Sequence, residues 1–479
     1  MNLVEDAWIP AVDLAGVHRS VSLREAFEHG DTLADLAANP CQRIALTRLL
    51  LCIAQAALEG PADEEHWLAC RARLAGVAVD YLARWEHRFN LFGPQAFLQV
   101  DALAPERNTL ADKIDLSRSS GNNPTLFDHG ASPEGRVPTP AKLALDVLVY
   151  QVYSPGGLIG RVIWDGKETE KSCELAPALE GSLLHTIIRG ATLLETIHAN
   201  LLTRTQVIDW GRPSWELDRL LRRELQQNAP TYLGRLVPVT RALRCIENSP
   251  ELTLASAVAY PKLPEGREPM ATVVLRKRGA EEAPAYVAVS LAKHPWRELG
   301  AVLSLTRADG YGGALAMTNL RTLPSDHVDI WTGGLAANKS KLLDMAEWCF
   351  SLPRVLLDDF VLARYRRGVT YADAGDAALR AAVKVYATEL KAEAALWQSV
   401  ARSRYWAALD ASTGVLVEAA TDPGDDLAAW MSSIRSTMGD AYERTCPSLS
   451  PRQTHAYVLG LRKLIVRQAR EQSHDQPSI

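Results

Sequence analysis

The 479 residues contain no Cys-x-x-Cys pair, no His-Glu-x-x-His and no cluster of cysteine and histidine at ligand spacing. That excludes the common structural zinc sites. The seven cysteines, Cys41, Cys52, Cys70, Cys173, Cys245, Cys349 and Cys446, are odd in number and scattered. They read as small, mostly buried apolar residues of a reducing compartment. There is no Gly-x-Ser-x-Gly elbow, and the eleven histidines are dispersed, so spacing nominates no nucleophile–base pair. No apolar run reaches the roughly 18–20 residues of a membrane span. The opening Met1-Asn2-Leu3-Val4-Glu5-Asp6 lacks the basic stretch and apolar core of a secretory signal. Basic charge is not in excess either: 52 Lys and Arg stand against 57 Asp and Glu, a formal net charge of -5. A uniformly basic nucleic-acid coat is thereby excluded, while a local basic groove is not. The expectation is a cytoplasmic, non-membrane protein with no cofactor.

With 47% hydrophobic residues, the chain can bury full cores, and its length gives a prior of about two to three domains. The first twenty residues read as strand, turn and strand, with Trp8-Ile9-Pro10 ending the first strand. Ser22 then caps a helix, with Glu25 at the capping-box position. Ile44, Leu49, Leu50 and Ile53 predict a helix over 40–58, stopped by Gly60-Pro61. Residues 63–88 predict two helices broken at Gly76. The Gly- and Pro-rich stretch 90–140 reads as a long loop region, of a length that is usually functional or disordered. A helix over 140–153 leads into a glycine-rich turn, Ser154-Pro155-Gly156-Gly157-Leu158-Ile159-Gly160. Strand-like runs follow at 271–275 and 286–291. Four helices are predicted at 373–396, 398–409, 425–444 and 451–470, with short connections. The fold class is α+β: a mixed domain over 1–357, then a four-helix bundle over 358–479.

Three local patterns suit anionic partners. The 154–160 turn lacks the Lys-Ser/Thr of a nucleotide-hydrolase loop, because Arg161-Val162 follow it, and its glycine spacing is not the dinucleotide fingerprint. It reads as a plain tight turn, or as a glycine surface lying against a nucleic-acid groove. The polar stretch 119–129 carries Asn122, Asn123, Leu126 and Phe127, which suit reading an unstacked RNA base; an ordinary loop with Leu126 and Phe127 tucked inward is the alternative. Arginines concentrate at 219–244, 354–367 and 452–470, either on solvated helix faces or as a segregated anion-facing surface.

Several segments, taken in order, resemble one family. They are Asn2-Leu3 with Trp8-Ile9-Pro10, Ser120-Gly121-Asn122-Asn123-Pro124-Thr125-Leu126-Phe127-Asp128-His129, Pro155-Gly156-Gly157 with Gly160, and Ile330-Trp331-Thr332-Gly333-Gly334-Leu335-Ala336-Ala337-Asn338-Lys339. Together with the helical C-terminal quarter they are similar to the CasA-family large subunit of the type I-E CRISPR Cascade surveillance complex. The resemblance implies a non-catalytic subunit that recognises the protospacer-adjacent motif (PAM) on duplex DNA. Such a subunit promotes duplex opening and R-loop formation and recruits a separate helicase–nuclease, while guide pairing reads the target. Its implied partners are the other Cascade subunits, the 5′ handle of the guide RNA, and PAM-bearing double-stranded DNA. Asn122, Asn123, Leu126 and Phe127 would meet the guide handle, and Gly156, Gly157 and Gly160 the PAM minor groove. Asn338 and Lys339 would lie at the wedge that splits the first base pair. Lys339 stands where the best-known relatives have Gln, which points to a charged contact with phosphate or base edge. Arg235 or Lys262 would supply the basic finger that relatives place in the PAM groove. A nucleotide-binding enzyme using the 154–160 turn, and a scaffold for protein partners alone, are the competing readings.

Overall fold

The computed structural model describes residues 1–117, 135–278, 281–305, 307, 310–338 and 341–474. At the N-terminus, strands Ile9–Asp13, His18–Val21 and Leu33–Leu36 form an antiparallel sheet with Ile9–Asp13 in the middle. Ile9 and Pro10 therefore begin the first strand and do not end it. The Pro10 ring removes one donor, but its carbonyl still accepts from the Ala37 N–H at 2.9 Å. Ser22 and Glu25 form the expected capping box on helix Leu23–Glu28.

Helix Pro40–Ala57 starts with Asn39 as cap, Gln42 closing a capping box, and Pro40 in the first turn. It is buried on every side, including at Arg48, Cys52 and Gln55. Arg48 is tolerated there because Glu268 pairs with it at 2.7 Å, both groups being fully buried. The next two helices are Glu64–Cys70 and Leu74–Trp85. Gly76 lies inside the second and the break falls at 71–73, since a single glycine weakens a helix without ending it. Helix Pro140–Tyr153 is capped by Thr139. Further on, Val273–Arg278 and Glu281–Tyr286 form a hairpin. The second expected run is thus displaced: beyond Tyr286 the chain makes only an isolated bridge, Ala288 opposite Leu183, with Val287 donating to Thr272 and accepting from Leu184 and Val289 donating to Ser182. Strand His327–Asn338 pairs on one edge with His185–Arg189 and on the other with Lys341–Pro353.

The chain divides into two compact units, Met1–Pro295 with Ala301–Ser351, and Trp296–Gly300 with Leu352–Ile479. Among the described residues the second unit holds the four expected helices, at Asp359–Glu389, Ala394–Asp410, Ala428–Thr445 and Pro451–His474, and a short additional one at Thr413–Thr421. Its first helix starts well before residue 373 because Asp358 caps it, accepting from the N–H groups of Phe360 and Val361. Gly368 and Gly375 sit inside that helix, where Cβ atoms would run into Leu416 and into the Tyr405 hydroxyl. They permit close helix contact. Trp296–Gly300 completes this unit. The Trp296 indole donates to Asp410 at 2.6 Å, and its ring packs against Trp406 and Trp430 at 6.2 and 6.1 Å.

Five of the seven cysteines are buried, and all seven are free thiols. No described helix is long and apolar enough to cross a membrane.

Candidate nucleic-acid interface

The glycine segment is built as a ribbon, not as a tight turn. Ser154 ends the preceding helix, its hydroxyl 3.0 Å from that of Thr240 and its carbonyl accepting from Ala176 at 2.9 Å. Gly157–Leu158 then pairs antiparallel with Ser172–Cys173, and the Ile159 N–H donates to Lys171 at 3.0 Å. Three glycines meet three different demands. A Cβ at Gly156 would lie 3.1 Å from the Cys173 carbonyl oxygen and the Leu175 nitrogen, so glycine there serves the protein's own packing. Gly157 has φ of +134°, which side chains other than glycine's rarely allow. Gly160 meets only an ordinary contact with the Leu254 oxygen at 3.4 Å. The ribbon continues into strand Val162–Trp164, not into a helix. It therefore lacks the helix N-terminus on which a phosphate-cradling loop depends. Leu158 is 81% exposed at its outer edge.

Arg241 braces this ribbon from beneath. Its buried guanidinium donates to the carbonyls of Thr240, Pro155 and Glu174 at 2.7, 2.8 and 2.8 Å. Glu174 in turn holds Lys262, the carboxylate 2.7 Å from Nζ, with both side chains about half exposed. Lys262 thus stands beside the glycine ribbon. Arg235 does not. It is 2% exposed, ion-paired to Glu268 at 2.8 Å, and donates to the Pro261 carbonyl at 2.9 Å. Charge alone made it a candidate finger; burial corrects that, and its part is to support the loop that carries Lys262.

The wedge segment forms one limb of a hairpin. Gly334 packs where a Cβ would come within 2.8 Å of the Leu183 oxygen. The Ser182 hydroxyl accepts from the Ala337 N–H at 2.9 Å and donates to the Ala337 carbonyl at 3.1 Å. Asn338 is exposed at the end of the strand. Lys339 lies outside the described residues, as do Asn122, Asn123, Leu126 and Phe127.

One run of chain, 172–183, touches all the described pieces. Ser172 and Cys173 pair with the ribbon, Glu174 holds Lys262, and Ser182 grips the hairpin. Midway, Glu180 accepts from the Leu263 N–H at 3.4 Å. Burial pushes its carboxyl up to about 7, with Glu268 adding to the shift and Arg235 and Lys262 opposing it. Nothing in the sequence of 172–183 advertises this role, because its contacts are with residues far along the chain.

The raised value has a stability consequence. The folded chain binds this proton more tightly than the unfolded chain, so the fold loses stability as the pH rises from the ordinary glutamate range through about 7. Glu180→Gln should therefore raise the melting temperature near pH 8 and leave it unchanged near pH 4.5. An equal shift at both values would show that the carboxyl is not strained by its surroundings.

Several arginines of the basic stretches are engaged within the protein. Arg244 pairs with Asp101 at 2.8 Å, Arg364 donates to the carbonyls of Ala419 and Asp422 at 2.9 and 2.6 Å, and Arg367 pairs with Asp426 at 2.6 Å. With Arg235 and Arg241 buried as well, the expected anion-facing arginine surface is not formed by these residues. No group of three or more possible metal ligands occurs among the described residues.

The family model for CRISPR-associated protein Cse1 matches residues 2–441. The CRISPR-associated protein CasA/Cse1 of Thermus thermophilus is 30% identical over 379 residues, covering 74% of this chain and 72% of that protein. The crystal structure of Thermobifida fusca Cse1 superposes with a TM-score of 0.83 at 20% identity, covering 98% of this chain and 97% of the other. A chain of a CRISPR RNA-guided surveillance complex superposes with a TM-score of 0.76 at 18% identity, covering 97% and 99%.

Proposed function

The chain belongs to the CRISPR-associated Cse1 family, and from that membership we propose that it is the non-catalytic large subunit of a type I-E Cascade complex. In this reading it recognises the PAM on duplex DNA, promotes duplex opening and R-loop formation, and recruits the helicase–nuclease for cleavage. The observation that carries the reading is the shared support at 172–183. A ribbon with an exposed edge, a half-exposed lysine and the base of a long hairpin all rest on it. A groove-reading element and a strand-separating element must keep fixed spacing, and a common short support supplies that.

The ribbon offers backbone and the Lys262 ammonium to a groove. The minor groove presents a degenerate pattern to such groups, which suits permissive PAM reading. Lys262 is released from Glu174 at little cost, since exposed ion pairs contribute about 0–1 kcal/mol. The loop 120–129, with Asn122, Asn123, Leu126 and Phe127, is assigned to the 5′ handle of the guide RNA. Cytoplasmic operation alongside the other Cascade subunits follows from the same assignment.

The test is reconstitution with and without this chain. The full complex should bind PAM-bearing duplex at least about tenfold more tightly than duplex with a scrambled PAM, and omission of the chain should abolish that preference. Lys262→Glu should reduce it while leaving assembly intact. PAM preference that survives omission would overturn the assignment.

A further inference from the structure

Two cations outside the three basic stretches lie near the glycine ribbon, and both are carried by segment 104–113. The start of that segment is tied to the strand that continues the ribbon, with Ala104 opposite Ile163 and Pro105 opposite Val162. Its later residues are tied to strand Glu251–Ser256, with Thr109 opposite Leu252 and Leu110 opposite Glu251. The Thr253 hydroxyl donates to the Asn108 side chain at 3.1 Å. Strand Glu251–Ser256 also lies close to the ribbon, since a Cβ on Gly160 would sit 3.4 Å from the Leu254 oxygen. Arg107 therefore falls in the short span between two fixed pairings. Lys113 follows in the turn Ala111–Ile114, which the Ala111 N–H fastens to the Pro250 carbonyl at 2.7 Å.

Lys113 is partly buried, and its ammonium makes no hydrogen bond or ion pair among the described residues. Burial pulls it below the ordinary lysine range. The Cys173 thiol opposes that pull, the charges of Arg107 and Arg241 add to it, and no carboxylate takes part. Those neighbours give its place. Cys173 belongs to the strand paired with Gly157–Leu158, and Arg241 donates to the Pro155 and Glu174 carbonyls at the base of the same ribbon. Two acids of the adjoining strands are engaged elsewhere, Glu168 by Arg161 at 2.9 Å and Glu174 by Lys262 at 2.7 Å. Arg107 is exposed and makes no ion pair among the described residues, even with the adjoining Glu106. A partly buried cation without an internal anion opposes folding, so its retention points to an anion from outside. The ribbon beside this pair presents backbone and not a pattern of side chains. The anion that suits such a surface is one that repeats along a strand whatever its sequence, a backbone phosphate.

We propose that Lys113 and Arg107 hold the phosphate backbone of the DNA duplex beside the glycine ribbon and so position the duplex there without reading its sequence. This rests on the proposed function and adds to it a sequence-independent contact.

The reconstituted complex is titrated over a salt series with two duplexes, one bearing the PAM and one with the PAM scrambled. Lys113→Met and Arg107→Ala should each weaken binding to both duplexes alike, by about threefold to tenfold, so that any PAM preference is kept. Each should also reduce the slope of log affinity against log salt by about 1, the sign of one lost phosphate contact, which a packing defect would not give. Lys113→Met should leave the melting temperature of the purified chain unchanged or raised, because methionine keeps the chain length and removes the desolvated charge. Arg107→Ala, at the surface, decides the matter if Lys113→Met fails to fold. Incorporation of both variants into the guide-bearing complex should match the wild type. Reduced incorporation with an unchanged salt slope would place the contact on the guide RNA or a protein partner and overturn the proposal. A folded variant at either position with unchanged affinity and slope would overturn it too. Absence of PAM preference in the wild-type complex would instead overturn the proposed function, and the salt slopes would still decide the phosphate contact.

Discussion

Trp296→Ala should cost the helical unit about 3–5 kcal/mol, the usual penalty for emptying a buried tryptophan site. Trp296 is 3% exposed and sits among Trp406, Trp430 and Asp410. Its backbone carbonyl also accepts the Tyr365 hydroxyl at 2.8 Å. Four residues on, the Gly300 carbonyl accepts from Arg366 Nε at 2.9 Å. Removing the indole leaves a cavity and strips Asp410 of this donor. A fragment starting at residue 352 loses more, since it lacks the whole of Trp296–Gly300. It should melt well below the same helices in the full chain, by several degrees per Trp-sized loss at about 2–4 °C per kcal/mol. A synthetic peptide spanning 294–303 should restore part of the difference. Urea unfolding followed by near-UV circular dichroism measures both effects. A fragment as stable as the intact unit, or a Trp296→Ala cost below about 1 kcal/mol, would show that the segment is peripheral.

That segment also marks where sequence reading stops. Helices Pro40–Ala57 and Pro140–Tyr153 were legible from apolar residues at helical spacing, Ile44, Leu49, Leu50 and Ile53 in the first, which Gly60-Pro61 stop, and Leu143, Val147 and Tyr150 in the second. The Ser22–Glu25 capping box was legible from the spacing of its two residues. Helix Asp359–Glu389 was expected to begin only at residue 373, although Gly368 and Gly375 both lie within it. Only the tertiary partners Leu416 and Tyr405 show why they are there. Nothing local announces that Trp296 packs with residues more than a hundred positions away, as its bond to Asp410 at a separation of 114 requires.

The interface divides in the same way. The glycine segment was found from composition, but its meaning depended on a partner strand at 172–173 that composition does not reveal. Arg235 and Lys262 were equivalent as charges. Glu268, 33 residues beyond Arg235, makes the first a core ion pair, whereas Glu174 leaves the second near the surface. Burial is a property of long-range packing, and a basic residue whose acid lies far along the chain looks free in sequence.

In the proposed function, one chain both docks on the PAM groove and opens the duplex, using different residues for the two steps. Gly157→Val should damage docking, because valine rarely adopts the +134° backbone and the ribbon edge must distort. We expect at least about a tenfold loss of PAM-dependent affinity in complexes that still incorporate the chain. Lys339→Ala should leave docking nearly intact and slow strand separation. Unpairing a base costs on the order of a few kcal/mol, part of which a cation beside the exposed strand offsets. The direct measurement compares two targets in the reconstituted complex, one fully paired and one with a mismatched bubble next to the PAM. The bubble should restore R-loop formation to Lys339→Ala and should not restore it to Gly157→Val. Equal rescue of both variants, or rescue of neither, would contradict the division of labour.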